Sequence, residues 1–406
     1  MLREGIELSI LYAEIDDVNA FVEALKEFTE RTGVKILVRA SLWERGWTEL
    51  MRAAIHKIGP DISEVGTSWV GDLVTMEAIK PFSKYEVDHI KGRRQFLDAL
   101  WDTCVFFGDP RVWSIPWGAD VRVVYYRRDL LEKAGVKEEE AFKSYESFID
   151  ALDKLKASGV KMPITISTGL DYNPLHVMAS FVWGAGGEFM SPDGMKVLFN
   201  EPEAIEGMSR YFCLHRYLSP QLRNLKDSQA NELFRYGESA MTISGQWVLR
   251  SIESGNAAPE VRENLGVAPI PGVPFVGGAN LVVWQHSPFQ ALAIEVMRFL
   301  TSQRIQEVCF AAFNLLPTRV EALEREPFVT NPHWKVIKQS LLKGRVFKGS
   351  RLWGMVEDEL VGKLNSIWNV LFADPEVDIK RVIKERMDDL AARVNAALYE
   401  KFGRNP

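Results

Sequence analysis

The chain has 406 residues, a length that fits two or three domains. Hydrophobic residues are 47% and charged residues 26%, which excludes a disordered or fibrous chain. The 49 lysines and arginines against 55 aspartates and glutamates leave a net charge of −6, a poor basis for binding nucleic acid, which depends on neutralising phosphates.

The first elements alternate in type. Ile6–Tyr12 reads as a strand and Glu14-Ile-Asp-Asp17 as an acidic loop. Val18, Phe21, Val22, Leu25 and Phe28 follow at helical spacing, and Gly33 supplies a stop. Val34–Val38 is a second strand, a helix covers Thr48–Ile58, and a third strand starts at Pro60-Asp61-Ile62. Such β-α-β-α-β order specifies a parallel sheet with helices on its faces, in which ligands collect at the carboxyl ends of the strands. Val121–Tyr126 reads as a strand and Arg128–Gly135 as a short helix closed by glycine. Ser144 caps a helix with Tyr145, Phe148, Ile149, Leu152 and Leu155 on its apolar face. Pro202 opens another helix. Ala240–Ser244 is a strand, the proline-rich Val267–Pro274 a crossover, and Ala291–Leu300, Arg304–Phe310 and most of Leu352–Phe402 are helical.

No run of ~18 apolar residues predicts a membrane span. The N-terminus shows no apolar core or cleavage site of a leader, which leaves a cytoplasmic protein or a chain whose leader has been removed. Cys104, Cys213 and Cys309 lie far apart, without metal spacing, and allow at most one bridge. There is no nucleophile elbow, phosphate-binding loop or dinucleotide fingerprint, so no catalytic residue, metal or cofactor is assigned. Carboxylates are plentiful, but most sit on solvated helix faces and no pair stands out as a glycosidase pair.

The 12 tryptophans are the unusual feature. Trp43, Trp69, Trp117, Trp183, Trp247 and Trp353 fall in predicted loops. An indole face stacks on the C–H face of a sugar and its N–H reaches a hydroxyl, whereas a tryptophan in the core does neither. Glu14, Asp16, Asp120, Asn173 and Asn280 are polar groups able to orient hydroxyls.

Several segments carry a family resemblance. Asn19–Ile36, Trp113-Ser-Ile-Pro116 with Val123–Gly135, and Tyr145-Glu-Ser-Phe148 each resemble segments of bacterial extracellular solute-binding proteins of the maltose-binding type. The most specific is Gly237-Glu-Ser-Ala-Met-Thr-Ile-Ser-Gly-Gln-Trp247; Gly277–Leu281, Ala293–Thr301 and Leu316-Pro317 complete the order. The resemblance implies an α/β fold of two lobes, each a sheet flanked by helices, joined by three hinge crossings near Pro116–Arg122, Val267–Pro271 and Leu316–Arg319. The lobes would comprise residues 1–117 with 270–317, and 118–269 with 318–406. It implies a periplasmic or extracellular monomer that closes on a carbohydrate, delivers it to the permease subunits of an ABC importer and catalyses nothing.

Ligand-binding residues carry over by position. Trp247 matches a tryptophan that stacks on sugar, and Asp120 an acidic residue that takes hydroxyls. Glu14 and Asp16 fall in the loop after the first strand, Trp69 in that after the third, and Trp353 in a late aromatic segment. Tyr172, Asn173 and His176 fall in a loop before Gly186-Gly187. Gly277 and Gly278 would let backbone approach the ligand, with Asn280 beside them; Trp43 and Trp117 complete the set. The alternatives are a carbohydrate-active enzyme, with two carboxylates across the scissile bond, and a receptor for polyamine, iron or oxyanion. Iron calls for clustered tyrosines, yet alternation puts Tyr125 and Tyr126 on opposite strand faces.

Overall fold

A computed structural model describes residues 5–12, 18–106, 108–350 and 352–402. Eight strands run through these described residues: β1 (Gly5–Tyr12), β2 (Lys35–Leu42), β3 (Ile62–Gly66), β4 (Ile115–Val121), β5 (Val123–Arg127), β6 (Met241–Ser244), β7 (Leu265–Pro269) and β8 (Val276–Val283). The chain divides into two compact units. The first is Met1–Asp120, Val276–Thr330 and Val346–Gly354; the second is Val121–Phe275, Asn331–Arg345 and Met355–Pro406.

The first unit is built on a sheet of order β2-β1-β3-β8-β4. β1 pairs in parallel with β2 and with β3, through the helices Val18–Thr32 and Trp43–His56, as the alternating pattern requires. Ile6, Leu8 and Ile10 are fully buried on β1. Phe21, Leu25 and Phe28, successive positions of one helical stripe, pack into the same core. Val22 lies about 100° further round that helix and is 37% exposed. Gly33, at φ +74°, ends the helix, its N–H bonded to Thr29 O at 2.8 Å. β8 runs antiparallel to β3.

Gly278 shows why β8 carries a glycine pair. Its φ is +132°, and a Cβ there would lie 2.1 Å from the carbonyl oxygen of Gly118 on β4. The close approach expected of Gly277 and Gly278 is therefore, at Gly278, to a strand of the same sheet. Gly278→Ala is expected to cost about 3 kcal/mol through backbone strain and clash, read as a lower urea midpoint at unchanged slope.

The second unit holds a three-stranded sheet, β6-β5-β7, antiparallel throughout. β5 is central and wholly buried; Tyr125 bonds Gly245 O at 2.9 Å while Tyr126, on the other face, bonds Glu138. The helix Tyr145–Ala157 opens on a capping box of Ser144 and Ser147, and Pro202–Phe212 begins on its proline. The C-terminal helices are Trp353–Ala373 and Ile379–Phe402.

Three features depart from the sequence reading. The run Val121–Tyr126 is broken at Arg122, between β4 and β5. Val267–Pro274, expected as a crossover, begins inside β7 (Leu265–Pro269), and the chain leaves the second unit only after Phe275. The segments 318–330 and 346–354, expected in the second lobe, belong to the first unit. Thr318 O accepts from Leu97 N at 2.9 Å, and the Arg319 guanidinium lies 5.2 Å from the Phe96 ring centre. Gly71 and Gly349 admit the other segment: a Cβ would meet Ser350 O at 2.2 Å and Val105 O at 2.6 Å, respectively.

Candidate functional site

In the first unit aromatic rings gather at the carboxyl ends of the parallel strands. Trp43 follows β2 directly and opens the helix Trp43–His56; Trp47 lies one turn on, on the same face. Trp69 ends the short turn Thr67–Trp69 after β3. The ring centres of Trp43 and Trp47 lie 5.9 and 5.6 Å from that of Trp69. Trp69 is buried beneath, and Trp43 and Trp47 are half-buried. Glu14 and Asp16, expected in the loop after the first strand, lie outside the described residues.

Trp117, Asn280 and Trp353, of the same unit, are enclosed. Trp117 lies on β4, not in a loop; it is 1% exposed and meets Phe21 edge-on at 5.9 Å in the main core. Asn280 is fully buried on β8, its amide donating to Thr103 Oγ1 at 2.9 Å and Ser114 Oγ at 3.0 Å. Both amide protons are thus occupied within the first unit. Trp353 opens a helix and is buried against Phe347, ring centres 4.5 Å apart. Asp120, on β4, is half-buried.

The second unit brings Tyr172, Asn173, His176 and Trp247 together. The first three are not on a loop: they form the opening turns of the helix Tyr172–Gly184. Asp171 caps it, its side chain accepting from Asn173 N at 3.2 Å. This helix also carries Trp183, buried beside Phe275 with the two rings parallel. Trp247 opens the helix Trp247–Glu253 after β6 and is half-buried. Gly245 makes room for its indole, since a Cβ there would lie 2.1 Å from Cζ3.

Arg122 joins these residues. Buried where β4 gives way to β5, it donates from Nε to Asn173 Oδ1 at 2.6 Å and from Nη2 to His176 Nδ1 at 2.9 Å. Its guanidinium lies 4.8 Å from the Trp247 ring centre and 5.6 Å from that of Phe275. His176 stacks on Phe275, centres 4.0 Å apart and planes within 7°. Burial, with Arg122 alongside, holds His176 well below the usual imidazole range, so it is neutral. Arginine only donates, so Nδ1 accepts and the ring proton sits on Nε2, 3.6 Å from Glu357 Oε1.

Asp227 is the second organiser. Its Oδ1 accepts from Asn173 Nδ2 at 2.6 Å and Ser244 Oγ at 3.2 Å; its Oδ2 accepts from Asn231 Nδ2 at 2.8 Å and Trp247 Nε1 at 3.1 Å. Burial, and then the neighbouring Asp171, push its carboxyl up to about 6, against Arg122, Asn231 and Ser244. Its ordinary value is 3.8, so between these values the unfolded chain is ionised while the folded one holds its proton. Stability therefore falls as pH rises through that window, by about 3 kcal/mol. Asp227→Asn has no such proton, and wild type is expected to lose that much relative to it between about pH 4 and 7. Urea unfolding across the window checks this; parallel curves would contradict it.

Arg122, Asp227, Trp47 and Phe275 escaped sequence reasoning. For Asp227 a signal exists: it stands at a helix start 20 residues before Trp247, but so does many a solvated aspartate.

Aromatic surfaces on an α/β frame, with one group at the carboxyl ends of parallel strands, define a protein that binds a small solute. The family model described as bacterial extracellular solute-binding protein matches residues 23–336, and the chain belongs to that family. It is 25% identical over 313 residues to the diacetylchitobiose-binding protein DasA of Streptomyces coelicolor, covering 74% of this chain and 69% of that one. It is also 24% identical to a binding protein of Brucella abortus, over 93% of this chain and 89% of the relative. Its fold matches that of the sugar-binding protein MalE of Xanthomonas citri, with a TM-score of 0.82, 18% identity and coverage of 99% and 100% of the two chains. A Thermotoga lettingae ABC-transporter solute-binding protein bound to tagatose matches at TM-score 0.79 and 20% identity, over 98% of this chain and all of that one. The family and these relatives are binding proteins. No helix among the described residues is long and apolar enough to cross a membrane.

Proposed function

We propose that the protein is the extracytoplasmic receptor of an ABC importer for a mono- or oligosaccharide. It acts as a monomer, hands its solute to permease subunits and changes no bond in it. The observation that carries this reading is Trp247: a half-buried indole whose N–H is held by Asp227, leaving ring surface for a solute. Stacking on C–H faces is how an indole in that state binds a sugar. The tryptophan group of Trp43, Trp47 and Trp69 offers a second such surface. A relative named for diacetylchitobiose and a maltose-bound protein of the same fold support the ligand class. Glu14, Asp16, Asp120 and Tyr172 are proposed as the hydroxyl-binding groups. On this reading the chain works outside the cytoplasmic membrane.

A thermal-shift series with maltose, diacetylchitobiose and tagatose tests the ligand class. A sugar at 100 times its dissociation constant is expected to stabilise the protein by about 2.7 kcal/mol. A relative named for sn-glycerol 3-phosphate makes that compound the proper non-sugar comparison. A shift with it and with none of the sugars would replace carbohydrate by a phosphorylated polyol.

A further inference from the structure

We infer that Asp227 is a positioning residue: it fixes the Trp247 indole for solute stacking without touching the solute. The inference rests on the reading of Trp247 as a stacking surface and adds the group that orients it.

Above about pH 6 Asp227 is ionised, and an ionised carboxylate is an acceptor only, with about four lone-pair sites on its two oxygens. Asp227 receives four hydrogen bonds, two on each oxygen, from Asn173, Ser244, Asn231 and Trp247. Those donors leave no acceptor site for a sugar hydroxyl. The Trp247 N–H, for its part, is directed at the carboxylate, so a solute meets this residue through its ring. The donors come from different parts of the second unit: the helix Tyr172–Gly184, β6, the helix Asp227–Arg235 and the helix Trp247–Glu253. Arg122 fixes the ring plane independently, its guanidinium 4.8 Å from the ring centre while its Nε holds Asn173, itself a donor to Asp227. The indole is thus held at its N–H and against a flat cation. A ring fixed before the solute arrives loses less freedom on binding, which is where a group that never contacts the solute affects affinity.

A purely structural role would lower stability with no special link to Trp247, and a double-mutant cycle separates the two. Maltose and diacetylchitobiose are titrated by calorimetry into wild type, Asp227→Ala, Trp247→Ala and the double variant. Asp227→Ala is expected to raise Kd about tenfold in the wild-type background and to have no further effect once Trp247 is alanine. Asp227→Asn keeps one oxygen for the indole N–H and is expected to recover most of the loss, and it serves as the test variant if the alanine variant does not fold. A sugar-free measurement runs alongside. The emission difference between wild type and Trp247→Phe isolates this one indole, and the same difference taken with Asp227 replaced is expected to shift. An equal loss of affinity in both backgrounds, or an unmoved difference spectrum, overturns the positioning role. A Trp247→Ala variant that binds as wild type does, or a wild type that binds neither sugar, counts instead against the stacking reading, and the difference spectrum still decides whether Asp227 positions the ring.

Discussion

Arg122→Met is expected to destabilise the second unit by about 3–5 kcal/mol, the cost of removing a buried, paired charge. Methionine fills much of the same volume and is apolar, so the loss comes from the partners left behind. Asn173 Oδ1 and His176 Nδ1 would lose their charged donor in a buried setting, each at about 1–3 kcal/mol. The rings of Trp247 and Phe275 would lose their cation. Asp227 would lose a positive neighbour that lowers its pKa. Arg122→Lys is not a rescue, because an ammonium lacks the planar fork that reaches Asn173 and His176 together while lying over the rings. Thermal unfolding reads the outcome: for a unit of this size a loss near the middle of the range lowers the midpoint by roughly 10 °C. A drop of only a degree or two would mean that the guanidinium adds nothing to the packing around it.

The second large effect falls on binding. Trp247→Ala is expected to raise Kd for a bound sugar about thirtyfold, the ~2 kcal/mol that truncating an aromatic anchor removes. Its effect on the fold is expected to be smaller than that of deleting a core ring, because Trp247 is only half-buried while Val248 and Leu249 beside it are fully packed. A core tryptophan behaves differently. Trp117→Ala, made against Phe21, is expected to cost about 3–5 kcal/mol of stability and to leave Kd alone. Unfolding midpoint and Kd measured on both variants in one buffer give opposite patterns on this account. Intact affinity in Trp247→Ala with a large loss of stability would return Trp247 to the core.

What could be read from the sequence follows from where the information lies. The β1-β2-β3 order is local: short apolar strands, one stripe of Phe21, Leu25 and Phe28, and a terminating Gly33 suffice. The stretch from Gly237 to Trp247 likewise places a strand and a tryptophan just beyond it. The helix Tyr172–Gly184 was missed because it is buried almost all round from Asn173 to Trp183, so it shows no polar face and no period. Only the Asp171 cap marks its start. The tryptophans Trp117, Trp183 and Trp353 show the limit of composition: an indole packed between neighbours and one open to solvent are spelled alike.

The organising residues escaped for a different reason. Arg122 interrupts an apolar run and reads as a strand residue facing solvent, while Asp227 reads as the acidic first turn of a helix. Their roles rest on pairings such as Arg122 with Asn173, 51 positions apart, that no window of sequence contains. Asn280 misled in the opposite sense. A polar residue beside two glycines reads as a ligand contact, but its amide holds Thr103 and Ser114 inside the first unit.

The most direct test of the central claim is calorimetric titration with maltose, diacetylchitobiose and tagatose, followed by chromatography of the recovered sugar. The account predicts saturable binding of at least one of them, one molecule per chain, with the sugar returned unaltered after prolonged incubation. Absence of heat with every carbohydrate offered, or sugar recovered as cleaved or transferred products, would contradict it.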